Sequence, residues 1–172
     1  LQDADGVTEE EPETQYRNVC SSIKEALDSG NLDPAKVAAI GIDGQMAGII
    51  GIDSDLNPLT KYDSWLDTRC EPYIEKMRRE GGKRVTELTG NAPSINHGPK
   101  VLWWKHERPE VYRKIRKFIQ PGGYVTMRLT GLSADQAFID DSYIHFSGFA
   151  DNRNRQWSDE LLDMFDVERD KM

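Results

Sequence analysis

Three aspartates stand where a carboxylate could do chemistry. Asp43, Asp67 and Asp140 each lie within or directly after an apolar, strand-like run, and strand ends commonly deliver side chains into a cleft. A carboxylate in a cleft can act as a general base that takes a proton from an attacking hydroxyl. Because the chain holds 30 acidic residues, a solvated turn or a helix cap is the competing explanation for each of the three.

The stretch "FIDDSYIHF" (138–146) places Asp140 and Asp141 between apolar flanks. In the functional interpretation, one carboxylate of this pair is a catalytic base. In the structural interpretation, "DDS" only forms a turn after a strand. In "WLDTR" the structural interpretation buries Trp65 in the core and makes Asp67 the cap of the next helix. The residue types leave both interpretations open.

Several kinds of site lack their sequence signature. The histidines and cysteines show no short paired spacing such as CxxC or HxxxH, so the sequence predicts no metal site at His97, His106, His145, Cys20 or Cys70. There is no GxxxxGK[ST] or GxGxxG loop that would hold a nucleotide, and no GxSxG elbow of an acyl hydrolase.

The composition restricts the class of partner. With 22 basic and 30 acidic residues the net charge is −8, which disfavours nucleic acid and an anionic membrane surface. No window is long and apolar enough to span a bilayer, so we expect a soluble protein that acts on a small neutral molecule. Two cysteines far apart in sequence predict reduced thiols in the cytoplasm. The acidic start "LQDADGVTEEEPE" has no targeting signal, and its lack of Met favours an origin inside a longer gene product.

A length of 172 residues suits one domain, and hydrophobic periodicity predicts both helices and strands in it. Helices are expected over 12–29, 68–80 and 83–89, in two short pieces of 100–119 divided at Pro109, and from Ser158 onward. Strands are expected at 37–42 and 47–52 around a tight polar loop, after the turn at 53–59, and at 136–140. The stretch 124–131 fits either a helix or a strand. The pattern predicts an α/β domain.

Five stretches, taken in chain order, carry a resemblance. "VAAIGIDGQMAGIIGID" is similar to a strand, Gly-Gln-Met loop and return strand, and "DSWLDTRC" to a W-x-D-x-R element. "TGNAPSINHGPKVLWWKHERPEVYRKIRKFI", "GYVTMRLTG" and "FIDDSYIHFSGFADNRNRQWSDELL" follow. Together they resemble the N-terminal domain of the FGGY carbohydrate kinases, the family of xylulokinase and glycerol kinase. The resemblance implies a ribonuclease H-like, actin-like ATPase fold, with a mixed sheet flanked by helices and incomplete at its N-terminal strands.

The resemblance also implies roles for particular residues. Asp140 would be the catalytic base that takes a proton from a sugar hydroxyl as its oxygen attacks the γ-phosphate of ATP. Substrate-facing roles are implied for residues on the Gly-Gln-Met loop, on the W-x-D-x-R element and on two further loops, namely Gln45, Met46, Trp65, Asp67, Asn96 and Asp141.

At some positions the chain departs from the family pattern. Ala47 stands where xylulokinases usually have His, which implies that one contact to a sugar hydroxyl is missing. Asp141 replaces an aromatic residue, Ile144-His145 an Ala-Ser pair, and Gly122-Gly123 a Lys-Asp pair. These changes imply a pocket with different shape and hydrogen bonding, and polar groups in such a pocket discriminate strongly between substrates.

ATP and Mg²⁺ are implied as cofactors of the full-length protein, because by the family's pattern the strand and hairpin that hold the phosphates, and the C-terminal nucleotide domain, are missing from 1–172. We therefore expect little phosphotransfer by the isolated chain. The implied partner is a small sugar or polyol, and a homo-oligomer is left open. Two alternatives remain: a non-catalytic carbohydrate-binding module, or a glycoside hydrolase with Asp67 and Asp140 roughly 5–10 Å apart across a cleft.

Overall fold

An antiparallel sheet forms the centre of the fold. The computed structural model describes residues 6–172, so the first part of the acidic start, "LQDAD", lies outside the described residues. The sheet has the strand order β1-β3-β2-β4, and a separate hairpin is formed by β5 and β6. The strands are β1 (Glu9–Glu10), β2 (Gly48–Ile52), β3 (Tyr62–Ser64), β4 (Lys117–Ile119), β5 (Ala150–Asp151) and β6 (Gln156–Trp157).

Helices pack on both faces of this sheet. The α-helices are α1 (Pro12–Ser29), α2 (Glu71–Thr89), α3 (His97–Glu107), α4 (Pro109–Tyr112), α5 (Pro121–Thr130) and α6 (Asp159–Met164). Central strand β2 separates two hydrophobic clusters: Ile49 belongs to the cluster formed with α2, α3 and α6, whereas Ile50 and Ile52 belong to the cluster formed with α5. Alternate residues of a strand point to opposite faces, so both faces of β2 are covered.

The helix predictions are confirmed at the caps and at the proline. Helix α1 begins at Pro12, and Pro109 separates α3 from α4. The helix expected from Pro109 to residue 119 is wrong in its second half, because α4 ends at Tyr112 and Lys117–Ile119 form β4. The Ser158 hydroxyl oxygen accepts a hydrogen bond from the Leu161 backbone N–H at 3.3 Å at the start of α6. The ambiguous stretch 124–131 is helical and ends at Gly131 with φ 71°.

The division of residues 68–89 into two helices is wrong. Helix α2 runs without a break through Gly81 and Gly82. A Cβ at Gly81 would lie 2.4 Å from the Met164 sulfur and 3.0 Å from Cζ of Phe165. The glycine therefore permits close approach of α6 to α2, and it does not end the helix.

Two strand predictions are also wrong. Residues 37–42 have no regular structure and pair with no strand among residues 6–172, and Ile40 is 55% exposed. Residues 134–136 form a turn of 3₁₀ helix and 137–140 have no regular structure. The prediction at 47–52 is confirmed by β2, which pairs with both β3 and β4.

Across residues 6–172, every helix is too short or too polar to pass through a lipid bilayer.

Candidate functional site

The loop of residues 43–47 lies between two cavities, and Gly44 lines both. The first, here called the carboxylate cavity, has a volume of about 210 Å³ and is lined by Asp43, Asp140 and Tyr143 together with the start of α5. The second, the tryptophan cavity, has a volume of about 430 Å³. Its lining residues are Gly44, Gln45, Met46, Ala47, Trp65, Ile95 and Phe146.

Asp43 is held in the carboxylate cavity by its neighbours. The Tyr143 hydroxyl donates to Oδ1 of Asp43 at 2.8 Å, and the Gly44 backbone N–H donates to the same oxygen at 2.7 Å. These two hydrogen bonds, of which the one from Tyr143 has the larger effect, lower the pKa of Asp43 below its usual range. Asp43 therefore presents a negative charge to this cavity at neutral pH.

Asp140 lines the same cavity at an exposed position. Its Oδ1 accepts hydrogen bonds from the Ser142 hydroxyl and, at 2.7 Å, from the Ser142 backbone N–H. These bonds lower the pKa of Asp140, and they form the turn that the structural interpretation of "DDS" describes. A lowered pKa makes a carboxylate a weaker base. Catalysis by Asp140 therefore stays a prediction. The hydrogen bonds that the structure shows are those of a residue that forms a turn.

The tryptophan cavity is mainly apolar. Trp65 is 52% exposed and Met46 is 45% exposed, so the indole is not the core residue that the structural interpretation expected. An exposed aromatic face with a polar edge suits a ligand that has both carbon and hydroxyl surfaces. Gln45 is the one polar side chain in the lining, and its Oε1 lies 2.6 Å from the Tyr62 hydroxyl, which donates to it.

Two predicted substrate residues are buried instead of lining a cavity. Asp67 is 2% exposed; its Oδ2 accepts from the Thr8 backbone N–H at 2.9 Å and from Nε of Arg69 at 3.0 Å. Asn96 is also 2% exposed, and its Oδ1 has no hydrogen-bond partner among residues 6–172. Neither lines the carboxylate cavity or the tryptophan cavity. A third predicted residue, Asp141, is exposed and forms an ion pair with Arg155 at 3.2 Å.

Asp67 belongs to a buried network that includes Asp63 of β3. Arg69 bridges Asp67 and Asp63 with contacts of 2.9 Å to each, and the Trp104 indole N–H donates to Asp63 at 2.5 Å. The Lys100 ammonium donates to the Asp67 carbonyl oxygen at 2.8 Å. Burial raises the pKa of Asp63 to about 7, against the opposing effects of Arg69 and Trp104. We call these five residues the buried network.

The residues present do not fit a triphosphate. No Lys or Arg appears in the lining of either cavity within the described chain, whereas Asp43 and Asp140 are both there. Phosphate groups are normally held by cationic side chains or by backbone N–H groups at a helix start. The start of α5 does line the carboxylate cavity, but the two carboxylates beside it would repel a phosphate. The same part of the chain contains no group of three or more His, Cys, Asp or Glu side chains that could hold a metal ion.

Some site residues were missed from the sequence. Asp43 is a candidate from its position after an apolar run, but no motif assigns it a role. Tyr143, Tyr62 and His97 contact the loop from 15 to 100 residues away along the chain. Nothing in the residues around these three predicts such contacts.

Comparison with known proteins gives a consistent result. The model of the N-terminal domain of the FGGY family of carbohydrate kinases matches residues 1–172. A xylulose kinase of Bacillus subtilis (strain 168) is 26% identical over 99% of this chain, which corresponds to 34% of that protein. A xylulose kinase of Escherichia coli (strain K12) is 32% identical over 96% of the chain and 33% of that protein. A glycerol kinase of Thermococcus kodakarensis is 28% identical over 94% and 33%. The chain thus spans about a third of the length of these relatives.

Solved structures show the same likeness. A gluconate kinase from Lactobacillus acidophilus superposes with a TM-score of 0.86 and 26% identity, covering 99% of this chain and 34% of that one. A protein from Brucella ovis described as a xyloylose kinase gives a TM-score of 0.85 and 25% identity, covering 97% and 34%. These structures confirm the actin-like fold class expected from the sequence, but the mixed sheet of that expectation is not seen, because all strand pairs within residues 6–172 are antiparallel.

Proposed function

The chain belongs to the FGGY family of carbohydrate kinases, and from this premise we propose that the protein phosphorylates a hydroxyl of a sugar or polyol with ATP, residues 1–172 supplying part of its sugar-binding N-terminal domain. The observation that carries the proposal is the loop of residues 43–47, which has a half-exposed tryptophan on one side and two ionised aspartates on the other.

The two cavities suit two needs of such a reaction. Trp65 and Met46 offer surface for the carbon skeleton of a sugar, and Asp43 and Asp140 offer acceptors for its hydroxyl groups. Phosphoryl transfer depends mainly on positioning and charge stabilisation, and the base has only to orient and deprotonate the nucleophile. Under this proposal the base is Asp140, and the chain holds and orients the acceptor hydroxyl.

ATP and Mg²⁺ are part of the proposal as cosubstrate and cofactor of the full-length protein. Since the described cavities carry two carboxylates and lack cationic side chains, we propose that a nucleotide domain outside residues 1–172 supplies the phosphate-binding groups. Little phosphotransfer by this chain alone follows from that arrangement. We also propose a cytoplasmic location, where ATP and small sugars are both present.

The identity of the acceptor is left as a class. The relatives are described as kinases of xylulose and glycerol, and one solved neighbour as a gluconate kinase. Ala47 removes a hydroxyl partner that the xylulokinase pattern would provide, so the proposed substrate is a sugar or polyol and not xylulose in particular.

Of the two alternatives, the binding module has support from one observation. The hydrogen bonds from Ser142 that lower the pKa of Asp140 suit a carboxylate that accepts a hydrogen bond without removing a proton. The hydrolase alternative has less, because Asp67 is buried and ion-paired and does not share a cavity with Asp140.

The test compares the full-length protein with its Asp140→Asn variant. Release of ADP is measured with ATP and Mg²⁺ against a panel of pentuloses, hexuloses and polyols. We expect a sugar-dependent signal, lost by at least about 100-fold in the variant if Asp140 is the base, with sugar binding retained. Asparagine can still accept from the Ser142 N–H, so an unchanged rate would assign Asp140 to the turn alone. Binding without ADP release for any sugar would favour the binding module.

A further inference from the structure

Two buried side chains contact the backbone and side chains of the loop of residues 45–47, of which Gln45 and Met46 are exposed. We propose that Tyr62 and His97 are positioning residues, which fix this loop as a preformed wall of the tryptophan cavity before any ligand arrives. The inference rests on the proposed function for its biological meaning, but the contacts that carry it are independent of the ligand's identity.

Tyr62 connects both walls of the tryptophan cavity. Its hydroxyl lies 2.6 Å from Oε1 of Gln45 and 2.8 Å from the carbonyl oxygen of Ala47, and its single proton is shared between these two acceptors. Tyr62 itself belongs to β3, which Trp65 directly follows. The ring is fully buried, and burial raises the pKa of Tyr62 above its usual value, so the hydroxyl keeps its proton. One side chain thereby links the loop to the segment that carries the tryptophan.

The end of the loop is fixed against the same residue. Gly48 follows Ala47 with φ 110°, a conformation that side chains rarely adopt. A Cβ at Gly48 would lie 2.4 Å from the Asp63 carbonyl oxygen and 2.4 Å from Cε2 of Tyr62. The backbone therefore passes directly over the Tyr62 ring, and only glycine permits that approach.

His97 holds the middle of the loop from the start of α3. Its Nε2 lies 2.7 Å from the Met46 carbonyl oxygen, and since a carbonyl only accepts, Nε2 carries the proton. The ring is 1% exposed, and its Nδ1 has no hydrogen-bond partner within residues 6–172. Burial lowers the pKa of His97 to about 4, so the imidazole is neutral at physiological pH.

An unpartnered buried nitrogen is unfavourable. An apolar side chain of similar size at residue 97 would avoid that cost, but it could not hold the Met46 carbonyl. The loop itself offers little burial to keep it in place, because Gln45 and Met46 are both exposed. A wall held in its binding geometry reduces the entropy lost on ligand binding, which gives the contact from His97 a function.

The direct test measures backbone order in the isolated 172-residue chain by ¹⁵N relaxation. We expect order parameters of about 0.85 at residues 44–47 in the wild type and below about 0.6 in His97→Leu, which removes the donor. His97→Gln places an amide N–H where Nε2 lies and should restore order. His106→Leu, on the exposed part of the same helix, is the matched control and should leave the loop unchanged.

Tyr62→Phe provides a second variant in case His97→Leu disturbs the fold, since it removes only a hydroxyl. It should loosen the same residues while the rest of the chain keeps its order. Loop order equal to wild type in both Tyr62→Phe and a folded His97→Leu would overturn the inference.

Ligand affinity separates this inference from the proposed function. With D-xylulose and glycerol as probes, we expect Kd to rise by about five- to tenfold in His97→Leu, the equivalent of one lost hydrogen bond, and to recover in His97→Gln. If His97 only filled space, His97→Gln would not restore the affinity. If the wild type binds neither probe nor any other compound of the sugar and polyol panel, the proposed sugar site fails, whereas the relaxation data still decide whether Tyr62 and His97 position the loop.

Discussion

The buried network and the carboxylate cavity both contain two aspartates, but in opposite environments. Asp63 and Asp67 are almost fully buried and are contacted by Arg69, by Trp104 or by the Thr8 backbone N–H. Asp43 and Asp140 face an open cavity and are contacted by a nearby hydroxyl and a backbone N–H each. Asp43, Asp67 and Asp140 have a similar sequence context, yet Asp67 joins Asp63 in holding the fold, whereas Asp43 and Asp140 are available to a ligand.

Electrostatics follows the same division. Burial raises the pKa of Asp63 to about 7, whereas hydrogen bonds lower the pKa of Asp43 and of Asp140. A buried carboxylate depends on its partners because desolvation opposes its charge. An exposed carboxylate keeps its charge because water solvates it. Mutations should therefore affect stability in the buried network and ligand interactions at the cavity.

The largest expected effect is that of Arg69→Met. This change leaves Asp63 and Asp67 buried without their shared cation, and breaking a buried ion pair costs about 3–5 kcal/mol of unfolding free energy. Urea unfolding measures the loss. Arg155→Met, which removes the exposed partner of Asp141, is the control and should leave the midpoint nearly unchanged. Similar midpoints for the two variants would break the comparison.

The second-largest effect is expected in the pH dependence of stability, to which Asp63 contributes. Its folded-state pKa, about 7, lies above the ordinary value near 3.9. Between pH 4 and pH 7 the folded state holds a proton that the unfolded state has released, so stability falls as pH rises. In Asp63→Asn this fall is absent, and the difference between wild type and variant should change by roughly 2–4 kcal/mol across the window.

Urea midpoints at intervals from pH 4 to pH 7.5 measure that difference. The effect of His97, whose lowered pKa gives the opposite slope, is present in both proteins and cancels. Asp43→Asn serves as a control from the cavity. Because the folded-state pKa of Asp43 is lowered, this group is ionised in both states over most of the window, and the difference from the wild type should stay nearly constant. Parallel curves for wild type and Asp63→Asn would contradict a raised pKa at Asp63.

Trp104→Phe should have a smaller effect. It removes the indole N–H that donates to Asp63 but keeps most of the buried ring. A buried carboxylate that loses one donor costs about 1–3 kcal/mol, again read from urea unfolding. Trp65→Phe changes the same residue type at an exposed position, so its stability should match the wild type within about 0.5 kcal/mol. Equal losses in both variants would show that ring size, not the hydrogen bond, matters.

The smallest effect is expected from Tyr143→Phe. Loss of the hydroxyl that donates to Asp43 should raise the pKa of Asp43 toward its usual range while the melting temperature stays unchanged. Carboxyl ¹³C shifts followed through a pH titration measure this. An Asp43 titration curve identical to that of the wild type would show that Tyr143 does not act on this carboxylate in solution.

Much of the secondary structure follows from local signals. Pro12, Pro109 and Ser158 mark helix starts, and the apolar run at 48–52 becomes the central strand. The errors arise where tertiary packing decides. Gly81 continues a helix because Met164 and Phe165 approach it, and no strand within 6–172 pairs with 37–42.

The candidate site was predictable only in part. Resemblance grouped Gln45, Met46 and Trp65, which do line one cavity. It also grouped Asp67, which the structure buries in an ion-pair network. A motif records which residues occur together but not which way each side chain points. The contacts from Tyr62 and His97 depend on packing between distant segments, so local sequence carries no signal for them.

The most direct test of the sugar site is an NMR titration of the 172-residue chain with a panel of ketoses and polyols, glycerol and D-xylulose among them, up to about 10 mM, ten times the upper end of typical KM values. We predict saturable shifts at residues 43–47 and at the Trp65 indole N–H for at least one compound, with the amides of Asp63 and Asp67 unmoved. Absence of saturable shifts for every compound, or shifts centred on the buried network, would contradict a sugar-binding role for this loop.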